Sequence, residues 1–517
     1  LEIEVRSPNP MESRSEMKLL QPGDKFDRTF TPFGMEGSST ITAEVCALPS
    51  VNLSGRLSFL TSYPHGCSEQ ITSGAFPQIY LPEILGSSLA DPEKIKYNIN
   101  SAIKTLSTRQ LSSGAITLWP GGTYADDWVT SYAGHFLIEA KKMGYTIPAG
   151  MLDKWESYQR AEASSWRYKA QYRYTCNDQA YRLFTLALNG TPEKGAMNRM
   201  KEITDLPKLA KWLLAATYAT TGRTEVSQSL IDVRDLKSDT EFYSYYYGSD
   251  LRDKEIILYT LTTLGNTNEA LAVLKEVAQR LSSNDWYSTQ TTAWGLYAYM
   301  NFSHKISNGA QSKEVKASVG LNGEKESLTS QGSTILKEYK TVSGKNNIVV
   351  KNESRIPLFV TITEKGVSMA PDGLVVEQNM KMTLDYCQLD GKPLNVSSLS
   401  QGTQFMMLIS VTNTSFRQVD NIALTQMVPS GWEILNTRLF ETVTPIKESA
   451  YDSRDFRDDR VYTYFSMRPG ETKRFYLLIT ASYRGTYTVP AVICEAMYDN
   501  GVKARRPGMQ VNVTEPK

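Results

Sequence analysis

The sequence predicts a multidomain chain of mixed α and β structure: an α/α toroid inserted into one β-sandwich and followed by a second β-sandwich. Three observations predict it. Apolar residues alternate with polar ones at the start, take up a helical period from about Leu53 to Asn301, and return to alternation beyond. Gly, Pro and Asn turns cut the helical stretch into about a dozen short amphipathic segments. A Pro371-Asp372-Gly373 turn divides the later strands into two groups. With 517 residues the chain has room for about three domains.

In chain order, residues 1–50 read as short strands at 1–5, 18–20 (before the turn Gln21-Pro22-Gly23-Asp24) and 39–45. So few strands cannot bury a core and need a partner from elsewhere. Helices are expected at 53–60, 67–84, 92–110, 126–143, 148–165, 177–188, 192–203, 206–220, 224–232, 250–264, 268–281 and 288–301, separated by turns such as Gly121-Gly122, Asn189-Gly190 and Gly265-Asn266. Hairpinned helices in this number suit a closed toroid. The alternative, a superhelical repeat array, would show a fixed period of about 34 residues, and none emerges. Strands resume at 313–321, 333–339, 347–352 and 358–364. The economical reading is that they complete the sheets begun by residues 1–50. The expected domains are therefore a sandwich made of 1–50 and 304–370, a helical insert of 51–303, and a second sandwich of 371–517. In the last, strands are expected at 380–389, 405–412, 422–427, 461–467, 474–482, 485–489, 492–498 and 509–513.

Composition narrows the function classes. A formal net charge of +1, with basic residues scattered, suggests neither a nucleic-acid nor an anionic-membrane surface. No apolar run reaches the roughly 18 residues needed to span a bilayer. The chain opens at Leu1-Glu2-Ile3 without a Met start or secretory core, so it is expected to be a piece of something longer. Five cysteines (Cys46, Cys67, Cys176, Cys387, Cys494) are too few and dispersed for a disulfide scaffold or a metal set, although Cys387 and Cys494 share the C-terminal β-region and are a candidate pair. Three histidines, His65, His135 and His304, leave little for zinc or Ser-His chemistry, and no cofactor is expected.

The stretch that carries chemistry is Tyr63-Pro64-His65-Gly66-Cys67-Ser68-Glu69-Gln70. Residues three apart on a helix are neighbours, so a Cys67 sulfur and a Gln70 carboxamide on a first turn lie within joining distance. Loss of ammonia would link them as an internal thioester, an acyl donor with a thiolate leaving group. A helix N-terminus favours that thiolate and any oxyanion formed in the attack. Pro64 and Gly66, followed by the periodic Ile71, Ala75, Phe76, Ile79 and Tyr80, place the pair where a loop enters a helix.

This octapeptide resembles the thioester segment of the alpha-2-macroglobulin family, particularly its bacterial members, which carry aromatic-Pro-aromatic-Gly-Cys-x-Glu-Gln. It departs at His65, where an aromatic is common, and at Ser68, where Gly, Leu or Ala is usual; neither touches Cys67 or Gln70. The resemblance extends to Ser113-Gly114-Ala115-Ile116-Thr117-Leu118-Trp119-Pro120-Gly121-Gly122, to Asp127-Trp128-Val129-Thr130-Ser131-Tyr132, to Ser288-Thr289-Gln290-Thr291-Thr292-Ala293-Trp294, and to Arg457-Asp458-Asp459-Arg460-Val461 and Glu495-Ala496-Met497-Tyr498.

What the resemblance implies is specific. Residues 1–50 and 304–370 would be a CUB-like sandwich interrupted by the thioester domain, and 371–517 the C-terminal macroglobulin-like (receptor-binding-like) domain. The whole protein would be a broad-spectrum, non-enzymatic protease inhibitor. A bait region, not recognisable here, is cut, and the thioester of Cys67 and Gln70 acylates a lysine amine of the attacking protease. Tyr63, Met497 and Tyr498 are expected to cover the bond, with His65 as a modifier and Glu69 as a hydrogen-bonding or capping group. The complement-type branch uses a downstream histidine, and the corresponding stretch around Tyr172 to Tyr181 has none, so direct transfer to amines is expected. The implied location is the periplasm or cell envelope, with a lipid anchor on a part outside this chain and a penicillin-binding protein as associated partner. Two other readings are a thioester-dead adhesion or scaffold module, and a toroidal polysaccharide lyase or glycosidase using Asp126 and Asp127, carboxylates that more often cap the helix at Trp128.

Overall fold

The opening residues form three strands, β1 (Met11–Leu20), β2 (Lys25–Phe30) and β3 (Thr40–Cys46), of which β1 is exposed along nearly its whole length. The computed structural model describes residues 11–62, 66–85, 91–237, 247–309, 314–330, 333–367, 374–436 and 446–516. The expected strand at 1–5 lies outside them. Chain packing divides into two units, residues 11–366 and a C-terminal unit from Val367 on.

In the first unit the opening strands find their partners far along the chain, in β4 (Val315–Leu321), β5 (Glu324–Ser330), β6 (Thr334–Lys340), β7 (Asn346–Asn352) and β8 (Leu358–Val367). Two four-stranded sheets result, ordered β2-β7-β4-β5 and β1-β8-β3-β6. β3 is central, antiparallel to both β6 and β8, with Val45 opposite Ile335 and Val360. Phe26, Ile41, Val45, Val319, Val350 and Val360 from both sheets share one apolar core. The other face of β3 is also buried but polar. There Glu44 accepts from the Ser50 hydroxyl at 2.7 Å, and burial holds its carboxyl above the usual carboxylate range.

Between β3 and β4 run thirteen α-helices, counted among the described residues: α1 (Leu53–Ser62), α2 (Ser68–Ala75), α3 (Leu81–Leu85), α4 (Pro92–Ser107), α5 (Asp127–Lys142), α6 (Met151–Ser165), α7 (Thr175–Leu188), α8 (Lys194–Lys201), α9 (Lys208–Thr220), α10 (Thr224–Leu230), α11 (Asp250–Leu264), α12 (Thr267–Leu281) and α13 (Thr289–Gly309). The single helix expected over 67–84 is broken. Pro77 and Pro82 each lack a backbone donor, so α2 gives way to a 3-10 turn over Phe76–Tyr80 before α3 resumes.

The packing order is circular: α2 on α5, α5 on α7, α7 on α9, α9 on α11, α11 on α13, and α13 back on α2. Aromatic rings fill the interior. Phe76, Tyr132, Tyr181, Trp294 and Tyr297 are buried together around His135, whose ring nitrogens lie 3.1 Å and 3.2 Å from the Tyr181 and Tyr297 hydroxyls. Each large apolar side chain so buried contributes about 1.5–3 kcal/mol. Arg56 of α1 joins the two ends of the helical stretch by donating to the carbonyl of Leu281, the last residue of α12, and to those of Ser283 and Asp285 just beyond it.

Among its described residues the C-terminal unit forms strands alone: β9 (Val376–Gln378), β10 (Met380–Cys387), β11 (Ser398–Ser400), β12 (Gln404–Asn413), β13 (Val419–Met427), β14 (Trp432–Leu435), β15 (Ser453–Phe456), β16 (Arg460–Met467), β17 (Thr472–Ala481), β18 (Gly485–Val489), β19 (Val492–Ala496), β20 (Asp499–Arg506) and β21 (Met509–Thr514). Sheets β10-β12-β17-β14 and β15-β16-β13-β19-β20-β9 close over a core of Phe405, Ile409, Ile422, Phe465, Phe475 and Val492, with a small sheet β11-β21-β18 beside them. The candidate disulfide does not form. Cys494 lies in that core, whereas Cys387 sits in a separate cluster with Met406 and Leu478, and both are free thiols.

Candidate functional site

The site begins where the chain turns into α2. Gly66 adopts φ +88°, a left-handed conformation that glycine reaches without strain. Cys67 is extended at φ −71° and ψ 160° and serves as the helix cap, its Sγ accepting from the Gln70 amide at 3.4 Å. The cap therefore sets the sulfur over the first turn of α2, beside the Gln70 main chain. Cys67, Ser68, Glu69 and Gln70 all show 0 % exposure, so the turn is sealed from water.

Glu69 points a different way round the helix. Its carboxylate accepts from the Ser73 hydroxyl at 2.6 Å and from the Thr289 hydroxyl at 2.9 Å, joining α2 to the first residue of α13. Ser73 also meets the Tyr132 hydroxyl of α5 at 3.0 Å. A buried carboxylate is tolerable only when hydrogen-bonded in this way. On the opposite side, the loop after α4 grips the turn. The Ser68 amide donates to the Leu118 carbonyl at 2.9 Å and its hydroxyl to the Thr117 carbonyl at 2.6 Å, while Arg109 donates to the Gly66 carbonyl at 2.7 Å and to the Ser68 hydroxyl at 3.1 Å.

A third contribution comes from Tyr247, buried and at φ +55°, whose hydroxyl donates to Asp126 at 2.7 Å. Burial pushes the Tyr247 phenol well up, and the charges of Asp126, Cys67 and Glu69 add to that shift. Asp126 also caps α5 by accepting from the Val129 amide at 2.8 Å, and burial raises its carboxyl.

Of the residues the sequence singles out, Cys67, Glu69 and Gln70 share one helical turn. Tyr63 and His65 lie outside the described residues. Met497 and Tyr498 belong to the C-terminal unit and form the turn between β19 and β20 rather than the end of the strand expected over 492–498. Met497 is buried, its amide donating to the Asn421 carbonyl at 2.9 Å, and Tyr498 is half-buried. Among the described residues no group of His, Cys, Asp and Glu is arranged to hold a metal, and no helix is long and apolar enough to cross a membrane.

Residues 380–500 match the profile of the bacterial alpha-2-macroglobulin MG10 domain. The alpha-2-macroglobulin of Escherichia coli K12 is 23 % identical over 532 aligned residues, covering 96 % of this chain. Over nearly its whole length the chain is similar to the bacterial alpha-2-macroglobulins. The Yersinia pestis alpha-2-macroglobulin homolog is 21 % identical across 98 % of the chain. This chain spans 31 % and 27 % of those two relatives, about a third of their length or less. In fold it is similar to native E. coli alpha-2-macroglobulin from domain MG7 to the C-terminus (TM-score 0.80, 21 % identity, 99 % of this chain and 83 % of that one). It is likewise similar to Salmonella alpha-2-macroglobulin reacted with methylamine (TM-score 0.79, 21 % identity, 98 % of this chain and 34 % of that one).

Against that family background, the two carboxylates considered for glycosidic chemistry have other occupations. Asp126 caps α5 and holds Tyr247, and Asp127 pairs with Arg182 at 2.8 Å. Sequence reasoning gave no site role to Arg109, Thr289 or Tyr247. Thr289 stood inside a recognised segment, but nothing in one dimension says that its hydroxyl meets Glu69.

Proposed function

We propose that this chain is the C-terminal part of a broad-spectrum protease inhibitor of the alpha-2-macroglobulin type, and that Cys67 and Gln70 form its internal thioester. The observation that carries this reading is the cap: a fully buried cysteine with Sγ 3.4 Å from the backbone N–H of a fully buried Gln70, three residues on in the same helical turn. In this reading the circular packing of α2, α5, α7, α9, α11 and α13 is the α/α toroid of the thioester domain, and the sandwich either side of it is CUB-like.

Bond formation needs no outside reagent. Sγ attacks Cδ of Gln70, the C–N bond breaks, and the thiol proton leaves on ammonia. When the site is uncovered, a lysine amine attacks the same carbon, the C–S bond breaks, and the amine's proton passes to the thiolate. The helix N-terminus stabilises charge on both sulfur and oxygen. His135 is engaged with two tyrosines, and burial depresses its basicity, which supports direct aminolysis. Holding the attacking protease close after bait cleavage makes capture effectively intramolecular, which lets an ordinary electrophile outrun hydrolysis.

Tyr63, Met497 and Tyr498 are proposed to keep the bond dry, with His65 modulating its reactivity. Location in the periplasm or cell envelope, a lipid anchor on another part of the protein, and association with a penicillin-binding protein belong to the same proposal. The test is intact mass. The purified chain should weigh one ammonia less than its sequence predicts and should gain one methylamine on treatment. A full-weight chain with an alkylatable Cys67 refutes the thioester.

A further inference from the structure

We infer that Arg109 is the positioning residue of the thioester, acting through Ser68, one of the two positions at which this chain departs from the motif it resembles. The inference rests on the thioester reading above. Its geometric basis is independent of that motif.

Arg109 lies just past the end of α4, 8 % exposed, and its guanidinium forks around the turn that carries Cys67. Nη2 donates to the Gly66 carbonyl at 2.7 Å, on the N-terminal side of the cysteine. Nη1 donates to the Ser68 hydroxyl at 3.1 Å, on the C-terminal side, and to the Leu118 carbonyl at 3.3 Å. The Ser68 hydroxyl spends its own proton on the Thr117 carbonyl at 2.6 Å, so toward Arg109 it acts as acceptor. The main chain of Arg109 is fixed in turn, its carbonyl accepting from the Thr117 amide at 3.1 Å. One planar cation thus holds oxygens on both sides of Cys67.

Fixing the Gly66 carbonyl fixes the plane of the peptide entering Cys67. That peptide follows a left-handed glycine, which alone would leave it free to swing. Fixing Ser68 sets the exit. With both ends held, the Cys67 backbone keeps the extended conformation that places Sγ 3.4 Å from the Gln70 backbone N–H, on the same first turn as the residue that must acylate it. Lysine would supply the charge without the fork.

The experiment compares the wild-type chain with Arg109→Gln, Arg109→Lys and Ser68→Ala. The readouts are the fraction one ammonia lighter by intact mass, the rate of methylamine opening, and the thermal midpoint. In Arg109→Gln the closed-to-open ratio should drop by about tenfold or more, as expected for loss of charge-assisted hydrogen bonds. Arg109→Lys should recover part of it. Ser68→Ala should lose closure severalfold and change the rate of methylamine opening while the chain stays folded, a change in bond chemistry that a merely structural role would not give. If Arg109→Gln fails to fold, Ser68→Ala decides. A folded Arg109→Gln or a Ser68→Ala chain with wild-type closure and opening rates overturns the assignment to Arg109 while leaving the thioester intact. A wild-type chain at full weight removes both.

Discussion

The bond between Glu69 and Thr289 offers the sharpest test of how the site is built, because it joins the first turn of α2 to the first residue of α13. Deleting the carboxylate in Glu69→Ala leaves the Thr289 hydroxyl buried without its acceptor, and opens a void. Ser73 fares better, since it keeps the Tyr132 hydroxyl at 3.0 Å. A hydrogen bond to a charged group contributes about 1.5–3 kcal/mol, and truncating a buried side chain of this size adds a cavity term. The total expected for Glu69→Ala is about 3–5 kcal/mol. Thr289→Val removes the same bond from the other end with little change of volume. The double mutant carries the void but no orphaned hydroxyl, so the cycle isolates the bond at about 1.5–3 kcal/mol. Urea unfolding followed by tryptophan fluorescence is the suitable assay. Seven of the eight tryptophans lie between Trp119 and Trp294, so the signal reports on the helical unit. A coupling energy below about 0.5 kcal/mol would mean that α2 and α13 are held by packing alone, and the reasoning fails.

Three further outcomes follow from the structure. Gly134→Ala should cost about 3 kcal/mol in the same assay, because the new methyl would lie 2.1 Å from the Trp155 ring, itself pinned by its bond to the Thr130 carbonyl at 2.8 Å. Acid should destabilise the chain through His135. Burial among Phe76, Tyr181, Phe184, Trp294 and Tyr297, with Lys142 adding repulsion, holds its basicity below the ordinary 6.5. Below that pH the unfolded chain takes up a proton the folded one refuses, so stability should fall by about 1.4 kcal/mol per pH unit, and His135→Gln should flatten the slope. Asp126→Ala should lose about 1–2 kcal/mol through the uncapped α5, and Tyr247→Phe about 1 kcal/mol, with thermal melts to compare them; equal and negligible effects would remove this pair from the site's support.

The periodicity of the sequence carried the architecture a long way, and its failures have local causes. Residues 1–50 were expected to need later strands, and β3 does lie between β6 and β8. β5 was not foreseen, because Glu324–Ser330 is polar at nearly every position and only its pairing with β4 makes it a strand. β1 was foreseen only at its end, since Glu12 to Glu16 face solvent on both sides of the strand or nearly so. The apolar period over 67–84 runs on without a gap, but Pro77 has no backbone donor, so the helix breaks there into a 3-10 turn. At the site, Cys67 and Gln70 are legible because their relation is three residues long. The partners of that turn were not. Arg109, Thr289 and Tyr247 come from three distant places, and their roles exist only once the chain has closed on itself.

The two-part sheet has a consequence for how the protein is made. Val45 is flanked by Ile335 and Val360, so the ribosome delivers this strand long before either neighbour exists. Until then its apolar edge must stay soluble next to an assembling helical body, and long-range pairing of this kind is slow. Any truncated product ending within the helices would carry an orphan strand with both edges open to other chains, a hazard that falls on nascent fragments and disappears in the finished molecule.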